Sequence, residues 1–406
     1  MWLLSRINFR IKRCYCGALT VKPKASLTTI PKALWVYIIE QKSNMIILYD
    51  HLIPGFVDLM KILNPTARYQ SFQHIEDVSQ QDATQVGSLF IRSTTKIDST
   101  VLERFPKMQF TATATAGVDH VQQELLAQRG ITFADAKGSN AHGVADYIVY
   151  ALGTLAPTLC LTAQSKAVVV GHGNVGKAVV RHLNCLGLSP YWVDPFLPKD
   201  SQTLTLQQDL QPEAWLATTQ LLCIHTPMTS RGPWPTQHWL NEQRLSQLPD
   251  GAVVICAGRG ETLVMKALLK HGERLRLVLD VWPQEPFIEQ RLLAVVDLAT
   301  PHIAGHSTLG KLRGTWQVVN AYAKFEKQPL PVTQQAFFDQ QLQGAKAQLV
   351  LKSKLSLDQL AQSPGWFDLG AVDKAMRDSA QKQSIDRQIF TQLRHNYRQH
   401  PEIIWL

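Results

Sequence analysis

A strand, a glycine-rich turn and a helix follow one another near the middle of the chain, and no other feature constrains the fold as strongly. The apolar run 166–170 leads directly into Gly171, Gly173 and Gly176, which have the spacing G-x-G-x-x-G. The helix predicted after this turn has an apolar stripe on one face and ends at a glycine. A second apolar run, 191–193, follows it. This order is typical of a dinucleotide-binding unit in a parallel sheet.

The turn itself predicts a phosphate-binding site. Gly171 permits the tight turn, Gly173 lets a pyrophosphate approach the backbone, and Gly176 lets the helix pack closely on the sheet. Asn174 and Val175 open the helix, whose free N–H groups and positive dipole end face the phosphates. The sequence therefore predicts that all five residues bind a dinucleotide.

An acidic residue ends the second strand of this unit. Asp194 follows the run 191–193 and lies 18 residues after Gly176. A carboxylate at this place can accept hydrogen bonds from the adenosine ribose hydroxyls, and its charge repels a 2′-phosphate. The sequence therefore predicts NAD, rather than NADP, as the cofactor.

From residue 45 onward, short β-branched runs alternate with longer helical stretches, which is the pattern of a parallel α/β sheet. The long apolar segment 142–156 has helical spacing and joins two such series. We expect an α/β fold with two Rossmann-like or flavodoxin-like parallel-sheet domains and a cleft between them. Besides 166–170 and 191–193, strands are predicted at 45–50, 88–92, 108–113, 131–134, 221–224, 252–256, 276–279 and 297–299.

These patterns divide the chain into four parts. Residues 45–141 and 305–330 are expected to form a substrate or lid domain, with 142–304 inserted as an NAD-binding Rossmann domain. The tail 331–406 is too apolar for a linker and is interpreted as an α+β dimerisation domain. The alternative is a subdomain that packs on its own chain. Residues 1–44 are interpreted as a mis-assigned start or a disordered extension, with an organellar targeting segment as the alternative.

Polar side chains follow the strands of the second series at the point where each strand ends. Because the carboxyl ends of parallel strands meet at one edge of a sheet, Arg259, Glu285 and His302 are expected to converge. His302 is suited to take a hydroxyl proton since the pKa of histidine lies near neutrality, and Glu285 can fix its tautomer. The planar guanidinium of Arg259 can bind a substrate carboxylate through two parallel hydrogen bonds. These residue types therefore favour oxidation of a hydroxy acid.

The net charge of +9 belongs mostly to the N-terminal segment. Residues 1–44 hold eight cations and one anion, which leaves 33 basic and 31 acidic groups, a net charge of +2, in the other 362 residues. We therefore expect no nucleic-acid partner. No run approaches about 18 uninterrupted apolar residues, so no membrane span is expected. Six cysteines without a C-x-x-C pair are typical of reduced thiols in a cytoplasmic protein.

Together these motifs resemble the signature series of the NAD-dependent D-2-hydroxyacid dehydrogenase family. The resemblance rests on the glycine turn with Asp194, on the strand-end loops 225–227, 257–260 and 280–286, and on the sequence PHIAG at 301–305. It implies that Arg259 and Glu285 are catalytic and that His302 donates or accepts the proton. It also implies that the substrate is bound by Ser93 and Thr115. The residues that it implies for NAD binding are Asp194, Thr226, Ala257, Gly258, Arg259, Asp280 and Gly305.

Three further segments resemble one branch of that family: RSTTK at 92–96, TATAGVDH at 113–120 and GKLRGT at 310–315. With the tail after 331, they imply oxidation of 4-phospho-D-erythronate in pyridoxal 5′-phosphate synthesis by a homodimer. Oxidation of 3-phosphoglycerate, or of glycerate to hydroxypyruvate, stays open because the same catalytic set serves it. A non-catalytic, NAD-sensing dimer of the corepressor type also stays open because fold alone does not fix function.

Several details concern the substrate end of the site. His306 stands where the family usually has a substrate-binding tyrosine, and we expect it to contact the substrate. Arg92, Lys96 or Arg313 is predicted to meet the substrate phosphate, because a doubly charged ester requires cations or oriented N–H groups. His302 and His306 could pair on a metal, but their segment offers no third ligand, so no metal is expected.

Overall fold

The computed structural model describes residues 45–206 and 213–406, so the predicted N-terminal extension lies outside the described residues. Within them, no helix is both long and apolar enough to span a bilayer. The strands are β1 (Ile46–Asp50), β2 (Arg68–Phe72), β3 (Val86–Ile91), β4 (Phe110–Thr113), β5 (Thr132–Asp135), β6 (Ala167–Val170), β7 (Tyr191–Val193), β8 (Leu221–Ile224), β9 (Val253–Cys256), β10 (Arg276–Leu279), β11 (Leu298–Ala299), β12 (Gln348–Leu351) and β13 (Glu402–Trp405). The α-helices are α1 (Phe56–Leu63), α2 (Gln80–Ala83), α3 (Ser99–Arg104), α4 (Gln123–Gln128), α5 (Ala141–Thr154), α6 (Asn174–Cys185), α7 (Glu242–Gln247), α8 (Met265–His271), α9 (Gln290–Ala294), α10 (Thr308–Phe325), α11 (Gln334–Leu342), α12 (Leu357–Ala361), α13 (Gly370–Lys382) and α14 (Arg387–Asn396).

The first five strands form one parallel sheet in the order β2-β1-β3-β4-β5. Strand β3 is buried along its whole length, as expected where helices cover both faces of a parallel sheet. Phe90 and Phe110 of this sheet pack against Tyr322 of α10, with ring centroids 5.6 and 5.2 Å apart. Helix α10 therefore covers the first sheet, although it follows the second sheet in the sequence.

The next six strands form a second parallel sheet in the order β7-β6-β8-β9-β10-β11. The strand order reverses at β6, whose two neighbours are β7 and β8. Open α/β sheets bind their ligands outside the carboxyl ends of the strands, at such a reversal. The glycine turn follows β6, and the loops that carry Arg259, Glu285 and His302 follow β9, β10 and β11. The topology therefore delivers the predicted site residues to one edge.

Helix α5 is buried on almost every side, since twelve of its fourteen residues are buried. A helix that is apolar all round belongs in a protein interior. It packs on the second sheet together with buried residues of the C-terminal segment, such as Leu360 and Ile403. Its carboxylate, Asp146, lies 2.7 Å from His182 Nε2 and accepts a hydrogen bond from the amide of Ile403. Burial raises the pKa of Asp146 to about 6.

Each strand predicted from the sequence is present, with ends that agree to within two residues. Neither strands β12 and β13 of the C-terminal segment nor strand β2 was predicted. Its sequence, RYQSF, is mostly polar and partly exposed at the edge of the first sheet, so it lacks the apolar run that marks a buried strand.

The C-terminal segment packs on its own chain. Strands β12 and β13 pair in parallel, and Leu349 and Leu351 of β12 lie in the core around α5. Met376 and Phe390 join the core on the opposite face of the second sheet. Residues 331–406 therefore have an intramolecular packing role, whether or not they also mediate dimerisation.

Candidate active site

His302 and Glu285 form the centre of the site. His302 Nδ1 lies 2.7 Å from Glu285 Oε1. Because an ionised carboxylate only accepts hydrogen bonds, Nδ1 carries the proton and Nε2 keeps a lone pair. The two side chains are 35% and 23% exposed, so both remain accessible to a ligand. The structure therefore brings together His302 and Glu285, the two residues predicted to accept the proton and to orient the ring.

A buried carboxylate holds the loop that carries His302. His302 has a left-handed backbone, φ 57°, which is uncommon for a residue other than glycine and requires support from its surroundings. Asp280 accepts hydrogen bonds from the amides of Ile303 and Ala304, at 2.7 and 2.9 Å, and from Thr300 Oγ1 at 2.7 Å. Burial raises the pKa of Asp280. Besides the predicted cofactor contact, Asp280 therefore positions the catalytic loop.

Arg259 reaches across the cleft to the first sheet. Its Nη2 and Nε donate to Asp119 Oδ2 at 2.8 and 3.1 Å, and its Nη1 donates to the carbonyl of Gly258 at 3.0 Å. Asp119 lies between β4 and α4 and is 71% exposed. Exposed ion pairs stabilise by about 1 kcal/mol or less. A substrate carboxylate can therefore replace Asp119 on Arg259 at low cost.

The turn after β6 has the geometry that a pyrophosphate cradle requires. Gly171 has φ 89°, and a Cβ on Gly176 would lie 1.9 Å from the carbonyl oxygen of Gly171. A Cβ on Gly173 would meet no described atom within 4 Å, so the backbone there faces open space where α6 begins. Nearby, Thr226 Oγ1 and both ring nitrogens of His225 are buried without a hydrogen-bond partner among the described residues. Open space beside unpaired polar atoms fits a dinucleotide.

Asp194 is fixed beside this turn. Its two oxygens accept hydrogen bonds from the amides of His172 and Phe196 at 3.0 and 3.1 Å. The carboxylate keeps lone pairs for ribose hydroxyls, while its charge disfavours a 2′-phosphate. The structure places the other predicted cofactor residues along the same edge, with Ala257 and Gly258 after β9 and Gly305 after β11. These residues fit NAD.

The first sheet contributes the opposite wall. Ser93 follows β3 and is exposed. Thr115 Oγ1 lies 2.8 Å from Thr113 Oγ1, which lies 3.0 Å from His120 Nε2. Burial lowers the pKa of His120 to about 4, so this ring is neutral near pH 7. A Cβ on Gly117 would lie 2.7 Å from Arg259 Nη2, which places the Thr115 loop directly against Arg259.

His306 lies beside an arginine that the sequence analysis did not single out. Arg394 Nη2 lies 3.3 Å from His306 Nε2, and His306 also faces the ring of Tyr397. Burial and the charge of Arg394 hold the pKa of His306 well below its usual range, so its ring is neutral. A substrate contact from His306 stays a prediction.

The three cations predicted for the substrate phosphate lie in different surroundings. The guanidinium of Arg313 donates to both oxygens of Glu402, at 3.2 and 2.9 Å, and to the carbonyl of Ser139, so it is already paired and its contact with the phosphate stays a prediction. Lys96 is exposed and has no ion-pair partner in the described part of the chain. Arg92 is half-buried and lies 3.1 Å from Asp50.

Sequence reasoning missed three polar residues at the site: Asp119, Lys311 and Arg394. Asp119 and Lys311 lie inside segments that carried the family resemblance, but a pairing across the cleft leaves no periodic signal. Arg394 comes from the C-terminal segment, far from every motif. Among residues 45–206 and 213–406, no three His, Cys, Asp or Glu side chains are grouped as a metal site requires.

Comparisons with known proteins show which family the chain is similar to. Residues 156–304 match the D-isomer specific 2-hydroxyacid dehydrogenase, NAD binding domain. An erythronate-4-phosphate dehydrogenase of Teredinibacter turnerae is 37% identical over 275 residues, which cover 66% of this chain and 70% of the relative. The enzyme of the same name from Idiomarina loihiensis is 33% identical over 361 residues, which cover 87% of this chain and 91% of the relative.

Solved structures share the fold at low sequence identity. A D-lactate dehydrogenase from Aquifex aeolicus, complexed with NAD and lactic acid, has a TM-score of 0.56 at 17% identity and covers 69% of this chain and 95% of its own. An NAD⁺-bound 3-phosphoglycerate dehydrogenase from Entamoeba histolytica has a TM-score of 0.56 at 19% identity. It covers 70% of this chain and 96% of its own. At these identities the likeness supports the two-domain fold alone.

Proposed function

The chain belongs to the erythronate-4-phosphate dehydrogenases, within the D-isomer specific 2-hydroxyacid dehydrogenases, and we propose that it oxidises 4-phospho-D-erythronate. The product is (R)-3-hydroxy-2-oxo-4-phosphobutanoate, and the cofactor is NAD. This reaction contributes to pyridoxal 5′-phosphate synthesis. The observation that carries the proposal is the His302–Glu285 pair on the strand edge that also presents Arg259.

Each catalytic residue has one task in this reaction. Arg259 exchanges Asp119 for the substrate carboxylate, which fixes C2 and its hydroxyl near His302. His302 Nε2 takes the hydroxyl proton, since Nδ1–H is already donated to Glu285. The negative charge of Glu285 stabilises the imidazolium that forms. NAD, when bound, supplies the acceptor for the hydride that leaves C2.

The proposal also assigns the residues that bind the cofactor and the substrate. The turn with Gly171, Gly173 and Gly176 holds the pyrophosphate, and Asp194 holds the adenosine ribose. Further cofactor contacts come from Asn174, Val175, Thr226, Ala257, Gly258, Asp280 and Gly305. Ser93, Thr115 and His306 contact the substrate from the other wall of the cleft. The cleft separates a lid domain, 45–141 with 305–330, from the NAD-binding domain, 142–304, and its closure excludes water.

A direct test is single-turnover reduction of NAD. Stoichiometric enzyme and NAD are mixed with 4-phospho-D-erythronate, 3-phosphoglycerate or D-glycerate, and nicotinamide reduction is followed by absorbance. We expect reduction with 4-phospho-D-erythronate and a loss of about 100-fold or more in Arg259→Ala, since a bidentate charged contact is removed. Arg291→Ala, at a 79% exposed side chain, is the matched control and should keep full activity.

The alternatives are separate outcomes of that test. Reduction with 3-phosphoglycerate or glycerate alone would keep the dehydrogenase family and reject the proposed substrate. Binding of NAD with no turnover of any of the three acids would favour a sensor.

The enzyme forms a homodimer in the cytoplasm, in which residues 331–406 form the contact. Support for the contact comes from β12 and β13, where Val350 and Ile404 are register partners and are 55% and 39% exposed. Apolar side chains that adjoin on an outward face are typical of an interface. Light scattering should give a dimer mass for the native chain and a monomer mass for Val350→Lys. A native monomer would reject the dimer.

A further inference from the structure

Three cations from distant parts of the sequence lie around the loop that carries His302. Arg92 directly follows β3, Lys311 lies in the first turn of α10, and Arg394 lies in the last turn of α14. Arg394 Nη2 lies 3.3 Å from Nε2 of His306, at the end of that loop. The amide of Lys311 donates to the carbonyl of Ser307, the next residue, at 3.2 Å. The carboxyl edges of both sheets and the C-terminal segment therefore meet at this cluster.

These charges lie close enough to act on one another. Burial, with the positive charges of Arg92 and Arg394, lowers the pKa of Lys311 to about 8. Burial also lowers the pKa of Arg394, an effect that Glu285 and Asp280 oppose and Arg92 reinforces. Like charges at half-buried positions repel one another, and a nearby opposite charge stabilises their charged forms.

The protein supplies little of that counter-charge. Asp50 lies 3.1 Å from Arg92 Nε. Within the described residues, Lys311 and Arg394 have no carboxylate at ion-pair distance, and Arg394 Nε is buried without a hydrogen-bond partner. The nearest acidic groups are already engaged, since Glu285 accepts from His302 and Asp280 accepts from the loop amides. The cluster therefore keeps a net positive charge beside the loop that carries His302.

We propose that Arg92, Lys311 and Arg394 are the residues that bind the phosphate of the substrate. The inference rests on the proposed function of the same site. A phosphomonoester carries close to two negative charges near neutral pH, and guanidinium groups match its oxygens in geometry. The substrate then spans three anchors, with its carboxylate on Arg259, its hydroxyl at His302 and its phosphate on the cluster. Arg394 gives the C-terminal segment a direct part in substrate recognition.

The test compares two substrates that differ only in the phosphate. Steady-state kinetics with 4-phospho-D-erythronate and D-erythronate are measured for the native enzyme, Lys311→Met and Arg394→Gln. We expect kcat/KM for the phosphorylated acid to fall about 10- to 100-fold in each variant, the loss for one charged hydrogen-bonding group. We expect kcat/KM for D-erythronate to stay within about 2-fold. An equal loss with both acids, or no loss with either, would overturn the inference.

Matched variants separate charge from folding. Lys324→Met lies on the exposed part of the same helix as Lys311, and Arg398→Gln lies just beyond α14 at an exposed position. Both should behave as the native enzyme with both acids. Lys311→Arg and Arg394→Lys keep the charge and should recover most of the preference for the phosphorylated acid. A failure of these charge-keeping variants to exceed Lys311→Met and Arg394→Gln would also overturn the inference.

Binding of inorganic phosphate gives a readout without turnover. Calorimetric titration should detect phosphate binding to the native enzyme and a loss of about 10-fold or more in affinity in Lys311→Met. If the native enzyme binds phosphate through these residues but oxidises neither acid, the proposed function fails and the phosphate site stands. If the native enzyme oxidises 4-phospho-D-erythronate while the variants match it in kinetics and phosphate binding, only the phosphate site fails.

Discussion

The carboxylate of Asp119 accepts hydrogen bonds from Arg259, at the place that the proposed function gives to the substrate carboxylate. The contact joins residues 140 positions apart and spans the cleft between the two sheets. Since Asp119 is largely exposed, the pair is weak, and it holds the guanidinium in place without blocking exchange. Under the proposed function, Asp119 is therefore an internal competitor of the substrate.

Removal of this competitor should tighten substrate binding. In Asp119→Asn, we expect the KM for the hydroxy acid to fall about 2- to 5-fold, because an exposed ion pair of up to about 1 kcal/mol no longer has to be broken. The kcat should stay close to the native value, since His302 and Glu285 are unchanged. Steady-state kinetics with saturating NAD measure both constants.

Glu124→Gln is the control for Asp119→Asn, because it removes an exposed carboxylate from the same part of the first sheet without a partner in the site. It should leave KM unchanged. A higher KM in Asp119→Asn would show instead that Asp119 helps to orient Arg259 or the substrate.

The strand-end loops explain why much of the site could be predicted. Loops after neighbouring parallel strands must meet at one edge, so Arg259, Glu285 and His302 could be placed together from their order in the sequence. The left-handed backbone of His302 and its support by Asp280 could not be predicted from the sequence, since they depend on hydrogen bonds within a folded loop. The contacts of Asp119 with Arg259 and of Arg394 with His306 join distant segments and have no local pattern.

The C-terminal segment was harder to predict for a related reason. Its short strands, β12 and β13, pair across about 50 residues, and the alternating burial of β12 reflects packing on α5. Sequence alone could show that this tail was apolar, but both a dimer contact and an intramolecular surface require that composition. Arg313, which seemed free to meet a phosphate, is instead paired with Glu402 of β13.

The glycine turn predicts different effects for two neighbouring substitutions. A Cβ at position 176 would overlap the carbonyl of Gly171, so Gly176→Ala should lower the free energy of unfolding by about 2 kcal/mol or more and weaken NAD binding. A Cβ at position 173 meets open space, so Gly173→Ala should keep native stability but weaken NAD binding by filling the cradle. Urea unfolding and NAD titration by fluorescence measure the two effects.

Each glycine variant serves as the control of the other. Native NAD affinity in Gly173→Ala would contradict the assignment of this turn to the pyrophosphate. Native stability in Gly176→Ala would contradict the close approach of the helix to the turn.

Several buried histidines make the stability of the protein sensitive to acid. Burial lowers the pKa of His120, His225 and His400 to about 4. In the case of His400, Nε2 donates to the carbonyl of Gly143, so Nδ1 accepts from the hydroxyl of Tyr397. Protonation of Nδ1 would reverse the direction of that second bond and place a positive charge in a buried site.

The sign of the pH dependence follows from the number of bound protons. Unfolded histidine is protonated below about pH 6.5, whereas these folded histidines stay neutral until about pH 4. Between these values the unfolded state binds more protons, so the free energy of unfolding falls as the pH falls. Each histidine contributes at most about 3 kcal/mol to this loss.

The contribution of one histidine can be isolated by substitution. In His400→Gln, whose amide can donate to Gly143 and accept from Tyr397, the loss of stability between pH 7 and pH 5 should be about 1 to 3 kcal/mol smaller than in the native protein. Urea unfolding at the two pH values measures it. His74→Gln, at an exposed position, should show the native pH dependence. An unchanged slope in His400→Gln would show that this ring is already protonated in the fold.

The path of the chain through its two sheets has a consequence for synthesis on the ribosome. The five strands of the first sheet emerge first, yet the helix that covers Phe90 and Phe110 begins only at Thr308, after the whole second sheet has been translated. Until then the first sheet exposes apolar surface to the cell, while the second sheet can already bury much of its own. We therefore expect the part that is made later to fold earlier, and chaperones to bind the nascent chain through residues 46–135.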